Sequence, residues 1–262
     1  MSPRVRLPVS GAEVIVVPAT GYSDVVAAEA GLGLAGAVAV CQSRITGPGP
    51  GPVEAMGLPV TDIDYLVVQL RLASLGGSFV GEGICQACSA RVDVSFEAAS
   101  YLEHCRPRRS AACREAEPGW WQLKRYELSF RVPTAADVLE CEPYADARKR
   151  LLDRCLRGPR SRAGEVAAER AMATVAPTLT SEVGGRCPEC GAAVSLQFDA
   201  RSFCLSELRA GATSVLADVV TLAGAFHWPE ADILALPTRR RQVYVEAVTV
   251  SASLRPLEAW VA

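Results

Sequence analysis

The chain has 262 residues, half of them hydrophobic, enough to close a substantial core in one large domain or two modest ones. With 27 Lys and Arg against 29 Asp and Glu, a net charge of -2 and a pI near 5.8, it has no global field that would draw it to nucleic acid or anionic lipid. The start, Met1-Ser2-Pro3-Arg4-Val5-Arg6, lacks the apolar run of a signal peptide, and residues 25–40 are too mixed to span a bilayer, so a cytoplasmic protein without membrane insertion is expected.

Residues 1–57 read as an amino-terminal β/α segment. Val5, Leu7, Val14, Ile15, Val16 and Val17 flank Ser10-Gly11 in the pattern of a short hairpin, and residues 22–30 predict a helix capped by Ser23. Gly31, Gly33 and Gly36 lower the helix propensity of the next stretch, which reads as strand or loop; the alternating Gly and Pro of residues 47–52 are a loop. Residues 58–132 hold a first unit. Ile63, Leu66, Val67, Leu70 and Ala73 share one face of a helix capped near Thr61 and stopped by Gly76-Gly77, with Asp62 and Asp64 as cap and solvated first-turn charge.

Residues 133–184 read as a helical linker or insertion, broken at Pro143, basic from Arg148 to Arg162, and helical again over residues 165–172. Residues 185–262 form the last unit. Leu205, Leu208, Ala212, Val215, Leu216, Val219 and Leu222 lie at the spacing of one long helix ending near Gly224; a short helix follows Pro229, and Thr238 caps a terminal helix.

Ten cysteines in a reducing compartment point to metal ligands or packed side chains rather than disulfides. Cys85-Gln-Ala-Cys88 and Cys187-Pro-Glu-Cys190 begin two stretches, 85–101 and 187–203, that align at a constant offset of 102. Val92/Val194, Val94/Leu196 and Phe96/Phe198 alternate as one face of a strand, and Glu97/Asp199 lead into a helix. Each knuckle supplies two thiolates, and Zn²⁺ takes four in a tetrahedron. The expected fold class is therefore α+β: a duplicated zinc-knuckle and β-hairpin core with packed helices, a split zinc ribbon in which Cys85, Cys88, Cys187 and Cys190 close over one structural Zn²⁺. A redox dithiol fits less well, because both pairs precede strands rather than open helices.

His104, Cys105 and Cys113 are spaced too irregularly to make a convincing second cluster, and Cys41, Cys141, Cys155 and Cys204 sit in apolar contexts. No Walker or dinucleotide fingerprint and no hydrolase or metalloprotease signature surrounds either histidine, so a non-enzymatic protein is expected.

The run Phe226-His227-Trp228-Pro229-Glu230-Ala231-Asp232-Ile233-Leu234, followed by Arg239-Arg240-Arg241-Gln242-Val243-Tyr244, resembles the tail motif of the T4-type baseplate hub assembly family of contractile phages and phage-like injection systems. Leu58-Pro59-Val60 through Leu66, together with the first knuckle, resembles the middle of larger zinc-containing members. The resemblance implies a baseplate component or assembly factor working with hub, spike or wedge proteins. It covers about half the chain, and residues 101–176 fall outside it. On this reading Trp228 and Tyr244 are apolar anchors for a partner and Arg239, Arg240 and Arg241 are orienting charges, of which Arg240 and one neighbour are expected to contribute because consecutive residues point in different directions around a helix; alternatively, Trp228 caps the core. The alternative is a zinc-ribbon nucleic-acid-binding or regulatory adaptor in which the arginines meet phosphates and the rings stack on bases; the acidic composition weighs against it.

Overall fold

The computed structural model describes residues 3–49 and 53–258. Strands β1 (Arg4–Arg6) and β2 (Glu13–Val16) pair antiparallel as the expected hairpin. Helix α1 (Gly21–Glu29) is capped by Thr20 and not by Ser23, which instead closes the capping box from inside the helix. The glycine-rich stretch read as strand or loop is helix α2 (Leu34–Arg44), running into β3 (Ile45–Thr46) beside β2. Packing overrides propensity there. A Cβ on Gly36 would lie 1.9 Å from the Gly31 carbonyl oxygen, so the glycine serves a close backbone approach.

Helix α3 (Val60–Leu75) carries Ile63, Leu66, Val67 and Leu70 fully into the main core and stops at Gly76, whose φ is +92°. Thr61 lies within the helix and donates to the Pro177 carbonyl at 2.9 Å instead of capping. Asp62 and Asp64 are buried, not solvated. Asp62 accepts the amides of Val9 and Ser10, each at 2.9 Å, and so ties the β1–β2 turn to α3. Asp64 takes Arg201 in a two-point pair at 2.5 and 3.0 Å.

Strands β4 (Ser78–Ile84) and β5 (Arg91–Glu97) form the first knuckle hairpin and lead into α4 (Ala98–His104). A four-stranded sheet follows: β6 (Cys113–Glu117), β7 (Trp120–Leu123), β8 (Ser129–Phe130) and, after α5 (Ala135–Cys141) and α6 (Ala147–Cys155), β9 (Leu156–Arg157). Helix α7 (Arg162–Val175) packs on it, and Leu123, Leu128, Phe130, Leu152, Leu156, Ala168 and Ala171 make a second core. Residues 133–184 are largely helical in α5, α6 and α7, and α6 and α7 share with β6–β9 one mixed core that begins at Cys113, within the stretch assigned to the first unit. Its strands of two to five residues are too short to show an alternating pattern.

The second knuckle hairpin, β10 (Thr180–Arg186) and β11 (Ala193–Asp199), leads into α8 (Ala200–Ala212). The single long helix expected here is two, because α8 breaks at Thr213-Ser214 before α9 (Val215–Phe226). The Thr213 hydroxyl bonds the Ala210 carbonyl at 2.9 Å, a local alternative to the helical ladder. By length and composition alone the stretch Ala200–Phe226 would suffice to cross a bilayer, yet Leu205, Leu208, Val215 and Leu222 pack into the protein. Helices α10 (Glu230–Ala235) and α11 (Thr238–Glu258) end the described chain; the Thr238 hydroxyl donates to Asp24 at 2.6 Å.

Candidate metal centre

The internal repeat extends further than the cysteine-led stretches. β4, β5 and the start of α4 stand at an offset of 102 from β10, β11 and α8, with the same strand lengths and pairing register. Each knuckle turn is built alike. The amides of Cys85 and Cys187 bond Ala90 and Ala192, both at 2.9 Å, and the Cys85 and Cys187 carbonyls accept from Ser89 at 2.8 Å and Gly191 at 2.9 Å. The turn needs a left-handed residue at its fifth position: Gly191 takes φ +72° readily, while Ser89 holds φ +60° at a cost of about 1 kcal/mol.

The two turns meet tip to tip. Cys85 Sγ lies 3.7 Å from Cys190 Sγ and Cys88 Sγ 3.7 Å from Cys187 Sγ, and all four sulfurs fall within 4.8 Å of one another. A tetrahedron with metal–sulfur bonds of about 2.3 Å has sulfur–sulfur edges of about 3.8 Å. The four cysteines are thus positioned to coordinate one metal ion jointly. A disulfide needs sulfurs at about 2 Å, and all ten cysteines are free. The first cysteine of each knuckle is buried and the second exposed, which puts the centre just under the surface.

The two thiols of the first knuckle are driven in opposite directions. Amides of Cys88 and then Ala87 lower the Cys85 thiol to about 7. Cys88, although the Ala90 amide lowers it, is pushed up to about 12, chiefly by the Cys190 thiol. A metal ion resolves this conflict by stabilising all four thiolates together.

At the far end of the hairpins, rings replace sulfur. Phe96/Phe198 and Tyr101/Phe203 are repeat equivalents that cluster around Phe79; Phe96 meets Phe198 edge-on at 5.0 Å, and Phe79 lies 5.2 Å from Phe198. Ser181 stands where Phe79 would repeat, so the symmetry is broken to fit one ring on the axis. Gly83 allows the hairpins to touch, since a Cβ there would lie 2.7 Å from the Leu196 side chain. Neither Phe79 nor Gly83 stands out in the sequence until the offset of 102 is carried upstream of the cysteines.

The remaining cysteines are packed. Cys105 belongs to the main core and Cys113 to the second, so with exposed His104 they form no common site. Burial pushes Cys155 up to about 11 and Cys204 up to about 12, which leaves both as unreactive thiols.

In the carboxyl-terminal segment the structure brings Trp228 and Tyr244 together. Trp228 stacks on Phe226 at 4.9 Å and meets Tyr244 edge-on at 5.4 Å, both half-buried. Arg240 covers Tyr244 at 5.6 Å and donates to its hydroxyl at 3.0 Å, while Arg239 is exposed. Arg241 is not a partner-facing charge. It is 1% exposed and pairs with Asp24 at 2.7 Å and Asp218 at 3.0 Å, because the helical period turns it inward when its neighbours face out. No family model matches the chain, and no curated protein or solved structure matches it.

Proposed function

We propose that Cys85, Cys88, Cys187 and Cys190 hold one structural Zn²⁺, and that the protein is a non-enzymatic baseplate component or assembly factor of a contractile injection system or phage tail. Four soft thiolates in tetrahedral array favour zinc among the common divalent ions, and four protein donors leave no coordination position for water or substrate. The observation that carries the metal reading is the pair of 3.7 Å cross-hairpin sulfur contacts. The assembly role rests on the resemblance of residues 226–244 to the baseplate family. The Phe226, Trp228 and Tyr244 cluster, capped by Arg240 and flanked by Arg239, supplies an aromatic and cationic surface of the kind that anchors a protein partner. A clasped hairpin pair holds the helices in fixed relation and so lowers the entropy lost on docking.

The test is co-expression with hub, spike and wedge proteins of a contractile system, followed by affinity recovery and elemental analysis. One zinc per chain, lost in Cys187→Ser, and tail proteins recovered with the parent but not with the Arg239→Ala/Arg240→Ala variant are expected. Full zinc retention in Cys187→Ser overturns the shared site. Recovery of salt-sensitive nucleic acid in place of tail proteins overturns the assembly role and favours the adaptor.

A further inference from the structure

The positive charge of the chain is concentrated in the insertion. Residues 105–176 hold fifteen Lys and Arg against ten Asp and Glu, while the rest of the chain holds twelve against nineteen. Along α7 this charge divides between two faces. Glu165 and Glu169 are neutralised on one face by Arg160 and Arg148, each at 2.8 Å. The other face lines a groove of about 1170 Å³ with Arg162 and Arg170, and Lys124 and Arg125 from the turn after β7 line the same groove. These four cations are exposed, and among the described residues none makes an ion pair or a side-chain hydrogen bond. Among the described residues no carboxylate lines the groove.

Its floor is aliphatic and shallow-chained: Val166, Ala167 and Ala171 from α7, with Leu123 and Ala112 beside them. The segment before β6 is pinned as one wall by two backbone bonds, Arg108 to Thr174 at 3.0 Å and Lys124 to Ala112 at 2.9 Å, so the groove is a fixed part of the second unit. A cationic rim around an aliphatic floor selects a ligand with carboxylates along its flanks and branched apolar side chains between them. Single-stranded nucleic acid asks for something else, a succession of flat rings on which bases stack. Tyr126 is the one ring in this lining among the described residues. The tryptophans nearby are engaged internally, Trp120 under Arg157 at 3.6 Å and Trp121 on Phe130 at 5.7 Å.

We propose that this groove docks an acidic amphipathic segment of a partner protein, its aliphatic side chains on the Val166–Ala167–Ala171 floor and its carboxylates on Lys124, Arg125, Arg162 and Arg170. The site is separate from the metal centre and from the Trp228–Tyr244 surface, and stands whether or not the protein serves a baseplate. Relief of mutual repulsion among four unpaired cations adds to the selectivity for acid, and the affinity should fall with salt.

The test uses the full metal-loaded chain and fluorescence anisotropy with three labelled probes of matched length: a peptide repeating Glu-Leu-Leu-Glu, a polyglutamate, and a single-stranded oligonucleotide. The Glu-Leu peptide should bind at least about tenfold more tightly than the other two. Arg162→Glu/Arg170→Glu, and independently Lys124→Ser/Arg125→Ser on the turn, should weaken it about tenfold or more at unchanged metal content and thermal unfolding. A peptide dissociation constant weaker than about 1 mM, or one untouched by both variants, overturns the proposal. Polyglutamate binding as tightly as the Glu-Leu peptide removes the floor from the argument and overturns it too. Tighter binding of the oligonucleotide makes the groove a nucleic-acid site.

Discussion

Replacing Arg241 with Ala tests how α11 is fastened to the body. The guanidinium donates from Nη2 to Asp24 and from Nε to Asp218, and the two carboxylates come from α1 and α9, so one side chain joins three helices. Asp24 and Asp218 are 8% and 6% exposed. In Arg241→Ala both remain buried without their cation, and breaking a buried pair from one side costs about 3–5 kcal/mol. For a chain of this size each kcal/mol moves the melting temperature by about 2–4 °C, so the midpoint should fall by roughly 6–20 °C. Among the described residues buried Nη1 of Arg241 has no hydrogen-bond partner, so one donor of the triad goes unused. Arg241→Met combined with Asp24→Asn and Asp218→Asn should therefore recover part of the loss, because neither carboxylate is left uncompensated, while buried Arg44 loses the neighbouring Asp24 charge that favours its cation. Circular dichroism melts of the parent, the single and the triple variant give the three values, and amide exchange along α11 shows whether the loss is local. A single variant within about 1 kcal/mol of the parent would refute the reasoning, since it would mean that water reaches the carboxylates once the arginine is gone.

Phe79→Ala removes the ring on the axis of the knuckle repeat, which meets Phe96, Phe198 and Phe203 at 5.3, 5.2 and 5.6 Å; denaturant midpoints should report a loss of about 3–5 kcal/mol, and a loss below about 1.5 kcal/mol would leave the metal as the chief tie between the hairpins. For Asp137, burial raises the carboxyl, but the two-point pair with Arg131 and the hydrogen bonds at Thr134 outweigh it and hold it well below its ordinary value of 3.8. A depressed folded value contributes stability that is present above pH about 4 and lost as pH falls. The stability gap between the parent and Asp137→Asn should accordingly narrow from pH 7 to pH about 3, and a gap that stays constant over that range would remove this pair from the acid response.

How far the structure could be read ahead depended on whether a residue's role was local. The knuckles were legible because a turn that aims two sulfurs at one ion needs its ligands three positions apart, and the hairpin that follows alternates at period two. The constant offset of 102 then carried the pairing of two half-sites that no single motif contains. Arg241 was misplaced although its helical period was visible, for Arg241, Tyr244, Val245 and Val248 share the inward half of α11. The period of 3.6 says that three consecutive arginines cannot share one face, but it does not say which of them turns inward until the partners Asp24 and Asp218 on other helices are known. Asp62 and Asp64 failed for a different reason. Their partners Ser10 and Arg201 stand 52 and 137 positions away, and a first-turn carboxylate with a distant partner looks the same in sequence as a solvated one. The sheet β6–β9 was hidden by strand length, since strands of two to five residues hardly display a period.

The placement of the insertion between the two knuckles has a physical consequence for the metal. Cys88 and Cys187 lie 99 positions apart and Cys85 and Cys190 lie 105 apart, so a shared ion closes a loop that holds the whole second unit. In the chain-entropy account, cross-linking a loop of this length removes freedom from the unfolded chain worth about 4.7 kcal/mol, against about 3 kcal/mol for a loop of fifteen residues. The clasp therefore gains from the insertion it encloses. Doubling the loop would change that figure by only about 0.6 kcal/mol, so the enclosed unit is free to vary in length and surface while the clasp keeps its strength. Each hairpin alone is two strands, a size that is marginal in water, and each knuckle alone is two ligands. Aromatic packing at one end and the thiol cluster at the other complete both deficits in the same association. A metal-free chain should for that reason keep its aromatic end and second core ordered while the knuckle turns lose theirs, with the basic groove of α7 intact on a unit whose own core, from Cys113 to Ala171, does not include the cysteine ligands.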